Sequence, residues 1–334
     1  MSRSKPTIDD VAQVAGVSRA TASRVINDAP GASDPVRARV HDAVSRLGYR
    51  PNQSARALAS GRQRAVDVLA VTYGPVEGWL GVHPYYSRVL AGMMSVLEAA
   101  EVPVRLHTVN GDATPDTIDT IAANATVGAV LATVTPTMAA RFHRRCPRAV
   151  SLVATAPSVP AIEADNTAGA YRAVAHLHAL GRRRIAAIHG PATNPCAIDR
   201  HTGYRRAVDN LGLPNIGAHG DFLRAGGHRA ALRLLDEHPD IDAIFVACDL
   251  MAAGAVQAIT STGRRIPHDI QVVGFDDSIA AVCANPPLST MRLPVEEMAA
   301  TATRLLLTGD VPSGHRQRFT VELVERDSTG RLAT

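Results

Sequence analysis

No run of about 18 apolar residues, the length that lets a helix cross a bilayer, occurs in these 334 residues. A membrane-spanning role is therefore not expected. Met1-Ser-Arg-Ser-Lys-Pro leads into Asp9 and Asp10 with no apolar stretch behind it, so no secretory signal is expected and the cytoplasm is the expected location. Cysteine is scarce. Cys146, Cys196, Cys248 and Cys283 stand far apart and form no C-x-x-C pair, which fits reduced thiols better than disulfides or a zinc site. The thirteen histidines are scattered and no H-E-x-x-H is present, so no metal is expected. A Walker loop, a G-x-G-x-x-G and a G-x-S-x-G are also missing, and with them the common phosphate-cradling and nucleophile motifs. Neither an enzyme nor a cofactor is expected.

The composition is that of a globular chain, 46% hydrophobic and 20% charged, long enough for two or three domains. Its net charge of +4 is unevenly spread. Residues 1–64 hold eleven Lys/Arg against five Asp, a balance of +6, so residues 65–334 carry −2. A basic head on a near-neutral body points to a polyanionic partner for the head. Lys5 is the only lysine, so the preference for arginine is a property of the whole chain.

The head reads as short helices. Thr7 and Asp10 form a T-x-x-D capping box, after which Ile8, Val11, Ala12 and Ala15 share one helical face. Gly16 breaks the pattern, and Ser18 caps a second helix reaching about Ile26. A third is expected from Asp34-Pro35, with Ser33 as N-cap, a stripe of Val36, Val40, Val44 and Leu47, and a stop at Gly48. On the second helix Ala22, Val25 and Ile26 turn inward. Arg19, Ala20, Ser23, Arg24 and Asn27 share the outer face. A solvated amphipathic helix would look similar. Three features favour a helix-turn-helix that reads DNA: the capped first helix with its short Gly turn, an Arg/Asn face able to pair with base edges, and the hydroxyls of Ser18, Thr21 and Ser23, suited to phosphates.

Residues 49–61 follow, and Asn52 can cap about two helical turns over 53–60. Such a helix is too short to stand alone. It is either a linker or a hinge that folds on DNA and presents Leu58 as a minor-groove wedge. Beyond Arg64 the period changes. Strand-like runs at 66–71, 104–108, 128–132, 149–153, 185–188, 243–247 and 271–275 alternate with helical stretches at 86–100, 167–180, 200–211, 226–237 and 250–262. That alternation predicts parallel sheets with right-handed crossovers, two sheets suiting the length better than one. A ligand is then expected beyond the carboxyl ends of the strands, between the lobes.

Thr7-Ile-Asp-Asp-Val-Ala-Gln-Val-Ala-Gly-Val-Ser-Arg-Ala-Thr-Ala-Ser-Arg-Val-Ile-Asn27, followed by Gly48-Tyr-Arg-Pro-Asn-Gln-Ser-Ala-Arg-Ala-Leu58, resembles the lactose-repressor (LacI/GalR) family. The likeness runs through Asp165-Asn166, 179–185, Arg200-His-Thr-Gly-Tyr204, 246–252, Val273-Gly-Phe-Asp-Asp277 and 286–298. It implies a small all-α helix-turn-helix head (1–50), a hinge helix and linker (51–64) and an α/β body (65–334). The body would have two doubly wound parallel-sheet lobes resembling a periplasmic sugar-binding protein. The N-lobe is expected over about 65–164 and 292–320, and the C-lobe over about 165–291 and 321–334.

By that resemblance Arg19 and Ala20 choose bases, Arg24 and Asn27 make more general contacts, and Leu58 is the paired lever. Thr7, Ser18, Thr21, Ser23, Ser33 and Asn52 complete the DNA-binding set. Tyr85, Tyr86, Arg200, Phe222, Asp249 and Asp276 are the implied effector contacts. A charged acceptor and an Arg fork suit a polyol, and a ring face covers the apolar side of a sugar. From position alone, Phe222 could be core, Asp276 could cap the next helix, Asp249 could cap a helix starting at Leu250, and Arg200 reads as opening a helix. Asp276 and Asp277, adjacent on a strand end, are expected to point to opposite sides.

Two departures from the family stand out. Cys248 replaces the usual Asn, a weaker hydrogen-bonding partner. About eleven residues (72–82), carrying the lone Trp79, separate the first strand from His83. Trp79 belongs either to a surface loop or to a lid at the cleft.

The resemblance implies a dimer on a pseudopalindromic double-stranded DNA operator. With no leucine heptads after Ser328, pairing of dimers is not expected. The function expected is a repressor of carbohydrate-uptake or catabolism genes, controlled by a small effector, a sugar or derivative. A solute-binding protein of the same body fold is the alternative, disfavoured by the basic head. For the Leu58→Ala variant we expect a preserved fold and weakened operator binding in a gel-shift assay. An unchanged affinity would remove the lever role.

Overall fold

The computed structural model describes residues 6–26, 30–49, 64–72, 80–111, 113–309 and 311–330. Asn27, Asn52, Leu58 and Trp79, with the expected hinge over 53–60, lie outside the described residues. The chain divides into two compact units, 1–64 and 65–334.

The first unit contains α1 (Ile8–Ala15), α2 (Arg19–Ile26) and α3 (Asp34–Leu47). The capping box forms: the Thr7 hydroxyl accepts the Asp10 N–H at 3.3 Å, and the Asp10 carboxylate accepts the Thr7 N–H at 2.7 Å. Gly16 ends α1 at φ +63°, a left-handed conformation that glycine adopts without a Cβ penalty. Ser18 Oγ accepts the Thr21 N–H at 3.1 Å and opens α2. Val11, Ala15, Val25, Val40 and Ala43 are the buried core of the unit, with Val17, Ile26, Val36, Val44 and Leu47 packed around them. Ser33 sits at the N-cap of α3 as expected, although its hydroxyl makes no capping hydrogen bond. Pro35, with no N–H to offer, occupies one of the two positions that such a hydroxyl would answer.

The second unit holds two six-stranded sheets. The N-lobe sheet uses β1 (Val66–Thr72), β2 (Val104–Asn110), β3 (Gly128–Ala132), β4 (Ala149–Ser151), β5 (Ala161–Ala164) and β11 (Arg316–Phe319). Their order is β11-β5-β4-β3-β1-β2, and every pairing is parallel. The C-lobe sheet uses β6 (Ile185–His189), β7 (Ile216–His219), β8 (Ala243–Val246), β9 (Gln271–Asp276), β10 (Ser289–Arg292) and β12 (Glu322–Val324). Here the order is β12-β10-β9-β8-β6-β7, parallel except for β10 against β12. Parallel strands covered on both faces are apolar throughout rather than alternating. β1 shows why: Val66 and Val68 join one buried cluster while Leu69 and Val71 join another.

Around the first sheet lie α4 (Pro84–Leu97), α5 (Pro115–Asn124), α6 (Pro136–Arg145) and α12 (Val295–Thr308). Around the second lie α7 (Asn166–Ala179), α8 (Pro195–Leu211), α9 (Arg224–Glu237), α10 (Asp249–Ser261) and the short α11 (Ile279–Cys283). The chain crosses between the sheets three times: from β5 to α7, from β10 to α12, and from β11 to β12. The crossings lie side by side, since β11 pairs with β5 and β12 with β10. Among the described residues no helix is long and apolar enough to cross a membrane.

Tyr204 on α8 is fully buried. Its hydroxyl lies 2.7 Å from the Ile216 carbonyl and 3.1 Å from that of Ile185, and accepts the Ile216 N–H at 3.1 Å, fastening β7 to β6. One residue earlier, Gly203 lets α8 approach α7. A Cβ there would stand 2.2 Å from the Thr167 carbonyl and 2.8 Å from Ala170 Cβ. Gly203→Ala is therefore expected to cost about 1–3 kcal/mol through overpacking, read by urea or thermal denaturation. Gly212→Ala, at φ +64° with nothing within 4 Å of the added Cβ, should pay only a backbone cost of about 1 kcal/mol.

Candidate functional site

In the first unit, α2 exposes Arg19, Ala20 and Arg24 and half-exposes Thr21 and Ser23, while Ala22 and Val25 are buried. The face is basic because burial claims the other positions. Arg19 Nε stands 3.5 Å from Asp9 on α1, a solvent-exposed pair of small energetic value that a phosphate or a base can displace. The Ser18 and Thr21 hydroxyls lie 2.8 Å apart and share a hydrogen bond. Thr7 spends its hydroxyl on the capping box, and Asp10 is held below the usual carboxylate range by the backbone N–H and the hydroxyl of Thr7.

In the second unit, a small, partly open cavity lies between the lobes. It is lined by His83, Tyr85, Tyr86, Thr133, Asn194, Cys196, Arg200, Phe222, Cys248 and Asp276. These residues sit where strands end and helices begin, as expected for an open α/β sheet. His83 caps α4, Asn194 caps α8 and Cys248 caps α10. Five of the six residues expected at an effector site thus face one space. Asp249 does not.

Arg200 anchors the C-lobe wall. It lies one and a half turns inside α8 rather than at its start, because the helix begins at Pro195. Its Nε donates to Asn166 Oδ1 at 2.9 Å, its Nη1 donates to the Ala247 carbonyl at 2.5 Å, and Nη1 stands 3.3 Å from Asp276 Oδ1. The guanidinium carbon lies 3.8 Å from the centre of the Phe275 ring, a cation–π contact in a desolvated place.

Phe222 forms another wall at φ +65°. Its ring fills the space beside Gly190, where a Cβ would come within 2.4 Å of it. His83, from the opposite lobe, meets the Phe222 ring edge-on at a centroid distance of 6.2 Å. Burial, with Arg200 nearby, pushes the His83 imidazole down to about 4, so it is neutral at pH 7. Tyr86 lines the cavity with its ring but directs its hydroxyl to the Val71 carbonyl at 2.6 Å and to Thr133 Oγ1 at 3.0 Å. Tyr85 packs against it edge-on at 5.4 Å. Burial pushes the Cys196 thiol up to about 11 and Cys248 well above the ordinary range. Neither is therefore a reactive thiolate.

Asp276 and Asp277 diverge as expected, helped by positive φ values of 115° and 53°. Asp276 faces the cavity. Asp277 turns away to accept from Arg292 Nε at 2.7 Å and Arg326 Nη2 at 2.5 Å; burial opposes its charge, yet these bonds hold its carboxyl below the usual range. Arg88 of α4 reaches the back of this turn. It donates to the Asp276 carbonyl at 2.8 Å and the Leu293 carbonyl at 2.9 Å, and grips Glu296 of α12 at 2.6 and 2.7 Å. One side chain thereby ties the N-lobe helices to the cavity-side turn of the C-lobe.

Asp249 is neither a cavity residue nor a helix cap. Cys248 takes the cap, accepting the Met251 N–H at 3.4 Å, and Asp249 is the first residue of α10. Its carboxyl is fully buried, with Oδ2 accepting the Ser278 N–H at 2.7 Å and Oδ1 2.6 Å from Thr290 Oγ1. It holds the 276–278 turn from behind. His83, Thr133, Asn194 and Cys196 were missed as cavity residues. His83-Pro84 and Asn194-Pro195 carried a usable signal, since a capping side chain before proline marks a helix start.

A helix-turn-helix unit followed by a two-lobed body with an interlobe cavity defines the class: a regulator built from a DNA-reading head and a ligand-sensing body. A family profile for "Bacterial regulatory proteins, lacI family" matches residues 7–52, and one for a "Periplasmic binding protein-like domain" matches residues 174–329. The HTH-type transcriptional regulator CelR of Thermobifida fusca is 32% identical over 98% of this chain and 99% of its own. A solved transcriptional regulator CelR–cellobiose complex matches at TM-score 0.71 and 30% identity, over 97% of this chain and 99% of that one. A lac repressor dimer bound to operator and the anti-inducer ONPF matches at TM-score 0.72 and 28% identity, over 99% and 100%. The chain belongs to the lacI family of transcriptional regulators.

Burial, reinforced by the nearby Asp276, pushes Asp249 up to about 8, against about 4 for an unfolded aspartate. A raised folded-state value means that the folded form holds the proton more tightly. The stability this contributes is complete below about pH 4 and is lost as pH rises through about 8. Asp249→Asn keeps an acceptor for Ser278 and offers a donor to Thr290. We expect it to raise the melting temperature at pH 8 by several degrees, to change little near pH 4, and to flatten the pH dependence between. An equally pH-sensitive variant would show that Asp249 is not the titrating group.

Proposed function

We propose that the protein represses carbohydrate-uptake or catabolism genes as a dimer on a pseudopalindromic operator, and that a sugar between the lobes controls it. The observation carrying this reading is the interlobe cavity. There a paired Arg200 and Asp276, the Phe222 ring and the Tyr86 ring offer directional polar groups beside apolar faces, the chemistry that suits a polyol. The cellobiose complex and the operator-bound lac repressor give the same reading precedent in relatives.

In this proposal Arg19 and Ala20 select bases, and Arg24 and Asn27 add general contacts. Ser18, Thr21, Ser23, Ser33, Thr7 and Asn52 face or order the phosphate backbone. Leu58 pairs with its copy in the minor groove. Tyr85, Tyr86, Arg200, Phe222 and Asp276 contact the effector, and Asp249 acts on it only through the turn it supports. Control is by population shift. The effector binds one arrangement of the lobes better than the other, and only one arrangement lets both hinges fold on the operator. Head contacts are few, so two heads are needed for tight, specific binding.

Selection from a randomised double-stranded DNA pool tests this. An inverted repeat should emerge, with affinity falling steeply as salt rises. Arg19→Ala should lose about tenfold or more in affinity, mainly at one position in each half-site. Absence of an inverted repeat, or an Arg19→Ala loss equal across all sequences, would overturn the repressor reading.

A further inference from the structure

We propose that three histidines of the C-lobe form an acid-sensitive latch that holds the Phe222 wall of the cavity, and that acid loosens this wall; the consequence for an effector rests on the effector reading above. His189 ends β6, His219 ends β7, and the two are register partners. Register partners point to the same face of a sheet, here the face that α8 covers, and His201 of α8 meets them there. From centroid to centroid, the His201 ring lies 4.2 Å from His189 and 6.1 Å from His219, and the latter two are 5.4 Å apart. Tyr204 flanks the cluster, 5.3 Å from His189.

The latch sits directly behind the cavity wall. The Gly220 N–H donates to the His189 carbonyl at 2.7 Å, and His219 Nδ1 stands 3.1 Å from the Gly190 carbonyl. Gly190 is also the residue against which the Phe222 ring is seated, a Cβ there coming within 2.4 Å of that ring. Phe222 itself follows His219 by three residues. The seat of the ring therefore depends on how the ends of β6 and β7 lie against each other, and the three imidazoles pack between those ends and α8.

The cluster packs well only when neutral. Among the described residues no carboxylate pairs with any of the three rings. The charged group that acts on them from α8 is Arg205, a like charge once a ring is protonated. The Tyr204 hydroxyl is committed to Ile185 and Ile216. Asp221, two residues beyond His219, turns instead to the Leu223 N–H at 2.9 Å and to Arg229 of α9 at 3.2 Å. The other positions of β6 and β7 on this face are Ile185, Ala187 and Gly217, which carry no charge. His189 is buried and its Nδ1 has no hydrogen-bond partner, so a proton there would leave a buried charge uncompensated. Burial, with His201 and His219 beside it, pushes His189 down to about 3; burial, His219 and Arg205 hold His201 below the ordinary range. An unfolded histidine titrates near about 6.5. A lowered folded-state value means that the unfolded chain holds the proton more tightly. The stability the cluster contributes is complete above about pH 6.5 and is lost as pH falls from there towards about 3. Opening the ends of β6 and β7 lets the rings take up protons and move apart, and the Phe222 wall goes with them. An effector leaning on that wall is then held less tightly in acid.

Hydrogen exchange of the full chain, read by mass spectrometry at about pH 7, 6 and 5 and corrected for the intrinsic pH dependence of amide exchange, tests this. Amides of residues 216–224 should lose about tenfold or more of their protection across that range, well ahead of those in β1 and β3 of the other lobe. In the double variant His201→Gln with His219→Gln, whose new side chains stay neutral, the loss should shrink to about threefold or less. Protection that holds to about pH 5 in the wild type, a loss spread evenly over both lobes, or an equal loss in the double variant would overturn the latch. Where the double variant fails to fold, His201→Gln alone decides, since His201 is only half-buried. It should move the loss to lower pH, and an unmoved loss overturns the latch. No ligand enters these measurements, so their failure leaves the effector reading standing, and a cavity that takes no sugar leaves the latch standing.

Discussion

The Arg200–Asp276 ion pair organises the body of this regulator. Separating either charge from the other inside a wall so poor in water would leave an ion without compensation, a far costlier state than the pair itself. The surroundings exist to keep them together. Phe275 supplies a ring face at 3.8 Å, Asn166 and the Ala247 carbonyl take other donors, and Asp249 fixes the turn that delivers Asp276. The glycine contacts serve the same end. Gly203 brings α8 close enough to α7 for Arg200 to reach Asn166, and Gly190 leaves room for the Phe222 ring.

Asp276 is also where the lobes touch. Its carboxylate faces the cavity while its carbonyl accepts from Arg88, which belongs to the other lobe and is held there by Glu296. A shift of the 276–278 backbone therefore lengthens or redirects a hydrogen bond whose donor is rooted in α4 and α12. Arg88 is thus a discrete contact shared by the two lobes.

Much of the architecture was legible in the sequence because burial on both faces makes parallel strands continuously apolar. β1, β3, β6, β8 and β9 announced themselves in that way. β11, Arg316-Gln-Arg-Phe319, did not. As an edge strand it is polar outside, and only its register against β5 defines it. β7, an edge strand of the C-lobe sheet, alternates buried Ile216 and Ala218 with exposed partners, too short a pattern to separate from a loop. Arg200 reads as a helix opening in the sequence, whereas α8 begins at Pro195, behind the cap that Asn194-Pro195 signals. At the site, the family motifs named five residues that line the cavity and Asp249, which lies behind it. Its carboxylate chemistry suits a ligand, but its partners, Ser278 and Thr290, come from segments 29 and 41 residues away, a pairing no local pattern reveals. The caps His83 and Asn194 were readable as caps and not as cavity walls, since only the three-dimensional convergence of their helices gives them that second role.

The three chain crossings between the lobes bear on how such a body can move. Two bodies joined by one tether can tumble about any axis. Here the crossings after β5, β10 and β11 lie side by side, tied by β5–β11 and β10–β12 pairing and by the Asp165 N–H to the Phe319 carbonyl at 3.0 Å. Three parallel straps suppress swivel and side-to-side rocking and leave essentially one rotational degree of freedom, opening and closing along the line of the straps. A ligand in the cavity then need supply only enough differential binding to choose a position on a single coordinate.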